Sequence, residues 1–337
     1  MVATNPPRRA DLDMGKGLAI LLVVFGHLVA RQDPQHLHWY EPLRRAIYAF
    51  HMPFFMYLSG FAAALSGVLL RGRAGWAQTA RARAQRLLLP FFSLGLLVLA
   101  GKLLASPILF VDNRPAGIRA GLLGLFWHTA ASPALSIWYL FVLFVVSLAT
   151  LWLLNGQARR LSWLLAAALA LYALPLPAYI YLDRVGAYAP FFLLGAMAGL
   201  AAPRWERIMD RLWPLALALL LAGLAAVALW GQSEAQKSVM LPLGALSLPA
   251  LHGLLRCLNI GWLCRLFLFF GRYSFMIYLG NTICIGLAKA ALLHFLPWDA
   301  AHFGVYAAAL MTAGMLGPVM VKRHAFRRVK ILDRLTG

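Results

Sequence analysis

Acidic residues are scarce in this sequence: 11 Asp and Glu stand against 31 Lys and Arg in 337 residues. Charge of either sign is scarce too, at 12% of the chain, where a soluble globular protein carries roughly 25%. So few charges do not cover a water-facing surface of this size, and the high apolar content excludes a disordered chain. Cysteine is nearly absent. Cys257, Cys264 and Cys284 are odd in number and form no Cys-x-x-Cys pair, which argues against both a structural zinc site and a disulfide framework. There is no constellation of metal ligands, no internal repeat and no stretch with the composition of a soluble domain.

What is present is apolar. Hydrophobic residues make up 62% of the chain and mean hydropathy is +0.74, so the expected class is an all-α integral membrane protein. A spanning helix needs about 17–25 mostly apolar residues. Ten segments qualify: Leu12–Val29, Ala46–Leu70, Leu87–Leu109, Ala134–Leu154, Leu161–Tyr181, Tyr188–Pro203, Leu212–Trp230, Ser238–Leu255, Leu266–Leu287 and Ala300–Val321. Ala120–Ala131 is apolar but too short to span and reads as a re-entrant or interfacial helix. The first run follows Arg8 and Arg9, yet Asp13 and Lys16 interrupt it and Leu28 and Ala30 make a poor cleavage site. It is therefore expected to be a retained span rather than a signal peptide.

The formal charge of +20 has a topological explanation. With the N-terminus in the cytoplasm, Arg31, Arg44, Arg45, Lys102, Arg114, Arg119, Arg184, Lys237 and Lys289 fall outside and every other Lys and Arg falls inside. Cytoplasmic loops carry that bias, so both termini are expected in the cytoplasm. Nucleic acid is not an expected partner, because no basic soluble domain exists to bind it. The sequence reads as one membrane-embedded domain over 1–337, with 322–337 a short basic tail facing anionic headgroups.

Ionisable groups inside spans are costly and mark functional sites by default. In the first span, Lys16 and His27 are eleven residues apart, about three turns, and so share a helix face about 16 Å apart. Asp13 precedes Lys16 by three and is placed to pair with it. The bland alternative has Lys16 reaching the headgroups and His27 bonding a neighbouring helix. His51 opens the second span just before Pro53, and Ser59-Gly60 follows as a close-packing point. Arg83 and Arg86 share a face before the third span, suited to bidentate phosphate recognition or simply to topology. Trp138 and Tyr139 stand at the outer entrance of the fourth span, like an aromatic belt. In the ninth, Ser274, Tyr278 and Asn281 fall near one face, where interhelical hydrogen bonding is the ordinary role.

These stretches resemble, in this order, the acyltransferase-3 family of integral membrane acyltransferases, especially its stand-alone sugar O-acetylases of the fucose 4-O-acetylase kind. The matching pieces are D-x-x-K-G-x-A-I-x-x-V-x-x-x-H at Asp13–His27, F-H-M-P-F-F-x-x-x-S-G-F at Phe50–Phe61, R-x-x-R-L-x-x-P-F at Arg83–Phe91, W-Y-L at Trp138–Leu140 and G-x-Y-S-F-x-I-Y-L at Gly271–Leu279. Two positions depart from the common pattern: Lys16 stands where many members have Arg, and Asn281 where many have His.

The resemblance implies transfer of an acyl group, usually acetyl, from cytoplasmic acyl-CoA to a carbohydrate hydroxyl, in the inner membrane of a bacterium. Acyl-CoA would be a co-substrate, with no permanently bound cofactor or metal. Its phosphates would meet Lys16, Arg83 and Arg86 on the cytoplasmic side. His27 would be the base, with Asp13 and Lys16 beside it on the catalytic helix, and His51, Trp138, Tyr139, Ser274 and Asn281 would hold the acceptor. An acyl-enzyme route ranks lower, because no Ser or Cys has an evident base partner. The competing class is a proton-coupled transporter or flippase of a glycan precursor with Asp13, Lys16 and His27 as a relay; it would be expected to show paired repeats.

Overall fold

The computed structural model describes residues 9–29, 34–106, 114–230 and 237–328. Residues 1–8, 30–33, 107–113, 231–236 and 329–337, among them the end of the third expected span and most of the expected basic tail, lie outside the described residues. Among the described residues thirteen α-helices follow in chain order: α1 Ala10–Gly26, α2 Tyr40–Tyr48, α3 His51–Leu65, α4 Trp76–Arg83, α5 Leu89–Ala105, α6 Ile118–Phe126, α7 Trp138–Leu154, α8 Arg160–Ala173, α9 Leu182–Leu200, α10 Ala202–Trp230, α11 Lys237–Cys257, α12 Gly261–Leu292 and α13 Phe303–His324. Among the described residues there is no strand, only isolated bridges pairing Gln35 with Asp299 and His128 with Tyr179. The chain is an all-α integral membrane protein.

A helix lies at each of the ten expected spans. Among the described residues, seven helical stretches are long and apolar enough to cross a membrane: Tyr40–Leu65, Arg73–Ala105, Leu135–Leu154, Ala202–Trp230, Lys237–Cys257, Gly261–Leu292 and Phe303–His324. The other three segments fold as α1, α8 and α9. The expected Leu161–Tyr181 helix stops at Ala173, since Pro175 and Pro177 follow and cannot continue its hydrogen bonding. The interfacial segment folds as α6 and a single turn at Thr129–Ala131. At the other end of the chain, α13 runs through His324 and buries Lys322, so the expected tail begins inside a helix.

Exposure is inverted relative to a soluble bundle. In α3 every residue from His51 to Leu58 is buried, whereas α10 buries only Ala202, Met209, Ala216, Leu220 and Val227. That spacing is one stripe, which packs on α11. Leu212, Leu215, Leu219, Leu229 and Trp230 face outward, where hydrocarbon replaces water.

Two crossings centre the fold. A Cβ on Gly17 would strike the carbonyl oxygen of Phe267, and one on Gly271 would strike that of Asp13; α1 and α12 therefore touch backbone to backbone. Gly60 and Gly195 do the same between α3 and α9, against Phe192 and Tyr57. Without a hydrophobic force between helices in lipid, such van der Waals contact is a main source of association. Gly17→Ala is expected to lower stability by about 1–3 kcal/mol, as overpacking does, while Gly286→Ala, with nothing within 4 Å of the new methyl, leaves it unchanged. Thermal unfolding of both variants in detergent checks this.

Candidate active site

His27 terminates α1 as its C-cap, and its Nδ1 lies 2.8 Å from Oδ1 of Asn281 on α12. The Asn281 amide nitrogen donates to the carbonyls of Ile277 at 2.8 Å and Tyr278 at 2.9 Å. Both amide hydrogens are thus engaged within α12, so the amide oxygen is the atom left for His27. An amide oxygen only accepts. The imidazole proton therefore sits on Nδ1, and Nε2 presents a lone pair. His27 is half-buried and Asn281 fully buried.

The α2–α3 corner closes on the same place. Tyr48 donates its hydroxyl to the Gly26 carbonyl at 2.8 Å, one residue before His27, and its ring meets that of His51 at 4.8 Å. His51 donates from Nδ1 to the Ile47 carbonyl at 2.9 Å, which leaves its Nε2 unprotonated as well. Tyr40 adds a bond to the Phe25 carbonyl at 2.6 Å. Arg44 lies over the Tyr48 ring at 4.8 Å and forks onto Glu41 at 2.6 and 2.7 Å. The corner thus brings His27 and His51 together, with a neutralised cation beside them.

A second polar line crosses the middle of the bundle. Ser59 on α3 and Tyr139 on α7 share a hydrogen bond of 2.5 Å. Tyr278 on α12 donates to the Ser136 carbonyl at 2.5 Å and accepts from the Tyr139 amide at 3.3 Å. Arg83 ends α4 within electrostatic reach of Tyr139 and Arg86. Arg86 sits in a π-helical turn, Ala84–Leu88, and its guanidinium lies 5.7 Å from the centre of the Phe275 ring. Pro90 has no N–H for the Arg86 carbonyl, which favours such a turn. Arg86 thus meets α12 and Arg83 lies near Tyr139 of α7, and the two arginines are neighbours.

The remaining predicted residues lie elsewhere. Lys16 pairs with Asp13 at 3.1 Å, at the opposite end of α1 from His27. Trp138 stacks near Tyr188 at 4.6 Å, with Arg184 over its ring at 4.8 Å. Ser274 bonds the Gly271 carbonyl of its own helix at 2.9 Å, so its hydroxyl is engaged away from the His27 neighbourhood. Among the described residues no group of three His, Cys, Asp or Glu is arranged to hold a metal ion.

A third imidazole, His252, was not among the residues expected from the sequence. His252 on α11 is fully buried. Its Nδ1 lies 2.8 Å from the Tyr57 hydroxyl and its Nε2 3.1 Å from Asp11. Trp205 donates to the same hydroxyl at 2.8 Å. Arg9 bridges Asp11 and Glu206, and Arg256 bridges Glu206 and Asp210 at 3.3 and 2.9 Å. Every member is saturated by protein, so the cluster fastens α1, α3, α10 and α11 together. The available signal was a lone His inside the apolar run Ser238–Leu255. Removing one partner of a buried charged pair costs about 3–5 kcal/mol. Asp11→Asn is expected to approach that loss, and an exposed change such as Arg204→Gln is not, as read by unfolding midpoints.

Comparison with known proteins adds a family. A family profile described as an acyltransferase domain matches residues 9–323. The chain is similar to two proteins named nodulation protein NolL. One, from Mesorhizobium japonicum, is 28% identical over 198 residues, 56% of this chain and 47% of that protein. The other, from Sinorhizobium fredii, is 33% identical over 199 residues, 56% of this chain and 48% of its own. The chain thus spans about half the length of these curated relatives. No solved structure matches significantly.

Proposed function

The chain belongs to the acyltransferase-3 family, and on that premise we propose that it is a membrane O-acyltransferase moving an acyl group, acetyl by preference, from acyl-CoA to a carbohydrate hydroxyl. The observation that carries the reading is the fixed tautomer of His27. A neutral imidazole with Nε2 free is a general base suited to physiological pH. Asn281 supports it by accepting from Nδ1 and holding the ring.

In this reading Nε2 of His27 takes the proton of the acceptor hydroxyl as its oxygen attacks the thioester carbonyl. The carbon–sulfur bond then breaks, and the imidazolium returns the proton to the departing thiolate, giving an ester and free CoA. The polar corner of His51 and Tyr48 lies beside His27 and orients the acceptor. Trp138, held by Tyr188 and Arg184, and Tyr139, tied to Ser59, line the path to the acceptor. Lys16, Arg83 and Arg86 attract the donor's phosphates. In this reading the protein sits in a bacterial inner membrane, the start of α1 faces the cytoplasm, ten helices cross, and both termini are cytoplasmic. The charge bias between the two ends supports that orientation.

His27→Ala is expected to abolish CoA release from acetyl-CoA in the presence of acceptor, at normal membrane levels; full activity in that variant overturns the reading. Asn281→Leu is expected to lower kcat by roughly 10²-fold, the low end of general-base contributions, with KM nearly unchanged. Arg83→Ala with Arg86→Ala is expected to raise KM for acetyl-CoA, measured by initial rates on purified protein.

A further inference from the structure

At the end of the bundle where α1 and α12 begin and α13 finishes lies a cavity of about 430 Å³. Ala10 and Asp13 of α1, Arg265, Leu268, Phe269, Arg272 and Tyr273 of α12, and Arg323 of α13 line it. That volume is within the range of small-ligand pockets, about 300–1,000 Å³. Asp11 and Asp13 are two residues apart and so turn to different sides of α1. Asp11 enters the saturated cluster with His252, and Asp13 reaches this cavity.

The charge here differs from that of the neighbouring cluster. Arg9 and Arg256 are matched by Asp11, Glu206 and Asp210. In the cavity, Asp13 is already paired with Lys16. Arg265 and Arg272 make no ion pair, hydrogen bond or ring contact with any described residue. Arg323 is oriented without being neutralised: its Nε donates to the Tyr273 hydroxyl at 3.1 Å, and its guanidinium lies over the Phe269 and Tyr273 rings at 5.5 and 5.3 Å. Three guanidiniums from two helices therefore converge on one hollow, and no described residue forms an ion pair with any of them. Topological bias asks only that cations lie on one side of the membrane. It does not call for them to line a common concavity, where they repel one another.

We propose that this cavity binds a phosphate-bearing ligand, held by forked hydrogen bonds from Arg265, Arg272 and Arg323. Two sources carry that chemistry at a membrane surface: the phosphorylated nucleotide end of the acyl donor and the headgroup of an anionic lipid. The inference rests on cavity and charge and is independent of the role given to His27. If the donor is the source, this cavity and the Arg83–Arg86 pair share its phosphates.

The experiment uses the purified full chain and the variant Arg265→Gln/Arg272→Gln, with Arg204→Gln/Arg211→Gln as a charge-matched control. Binding of adenosine 3′,5′-bisphosphate is measured by calorimetry. Retention of phosphatidylglycerol is measured by native mass spectrometry after extraction from nanodiscs that also contain phosphatidylcholine. At least one probe is expected to bind the wild type and to bind the variant ten-fold or more weakly, with the control unchanged. Loss confined to the bisphosphate identifies the donor, and KM then rises for acetyl-CoA but not for acetyl-pantetheine, which lacks the nucleotide. Loss confined to phosphatidylglycerol identifies the lipid. Failure of both probes to bind the wild type, or equal binding by wild type, variant and control, overturns the proposal. Absence of acyl transfer alongside variant-sensitive binding refutes the enzymatic reading alone.

Discussion

Backbone contact between α1 and α12 governs the rest of the arrangement. Gly17 and Gly271 let the two helices meet with no side chain between them, and each lies ten residues before a member of the His27–Asn281 pair. The helices run the same way from that point, so the crossing sets the heights of His27 and Asn281 together. A hydrogen bond of 2.8 Å tolerates little error in that register. The identity of two glycines near one end thus fixes the protonation pattern of an imidazole at the other.

Burial in an apolar medium then sorts the polar groups into two kinds. A polar atom without a partner in such surroundings costs several kcal/mol, so each must be satisfied by protein or lie where a ligand satisfies it. The cluster of Arg9, Asp11, His252 and Tyr57 is of the first kind. Every one of these groups already has protein partners, and no functional atom is left over. His27 is of the second: Asn281 satisfies one ring nitrogen and leaves the other available. The three arginines around the α12 cavity are a different case: they are exposed at the end of the bundle, and no carboxylate among the described residues pairs with them. His27 and His252 thus differ in what their surroundings leave open. The difference lies in what faces the second nitrogen.

The polar line of Ser59, Tyr139 and Tyr278 joins these regions mechanically. It ties α3, α7 and α12 between the His27 corner and the arginines of the π-helical turn. A change in the spacing of α7 against α12 would therefore reach both ends of the proposed reaction path.

Much was legible in the sequence, because hydropathy and charge are local properties. A helix lies at every one of the ten apolar segments, and the pairing of Asp13 with Lys16 follows from their three-residue spacing on a helix. The motifs that carry the family resemblance needed only residue order. The tertiary structure decided what depends on which helices touch. It turned Asn281 from a departure in a motif into the partner of His27, 254 residues away in sequence. It drew Ser274 back onto its own helix, and it set Arg86 in a π turn against Phe275 that no periodicity announces. The bond between His252 and Asp11, and the convergence of Arg265, Arg272 and Arg323, join helices remote in the chain. Composition counted those charges and gave them a side of the membrane. Only packing determined which were neutralised and which were left to meet a ligand.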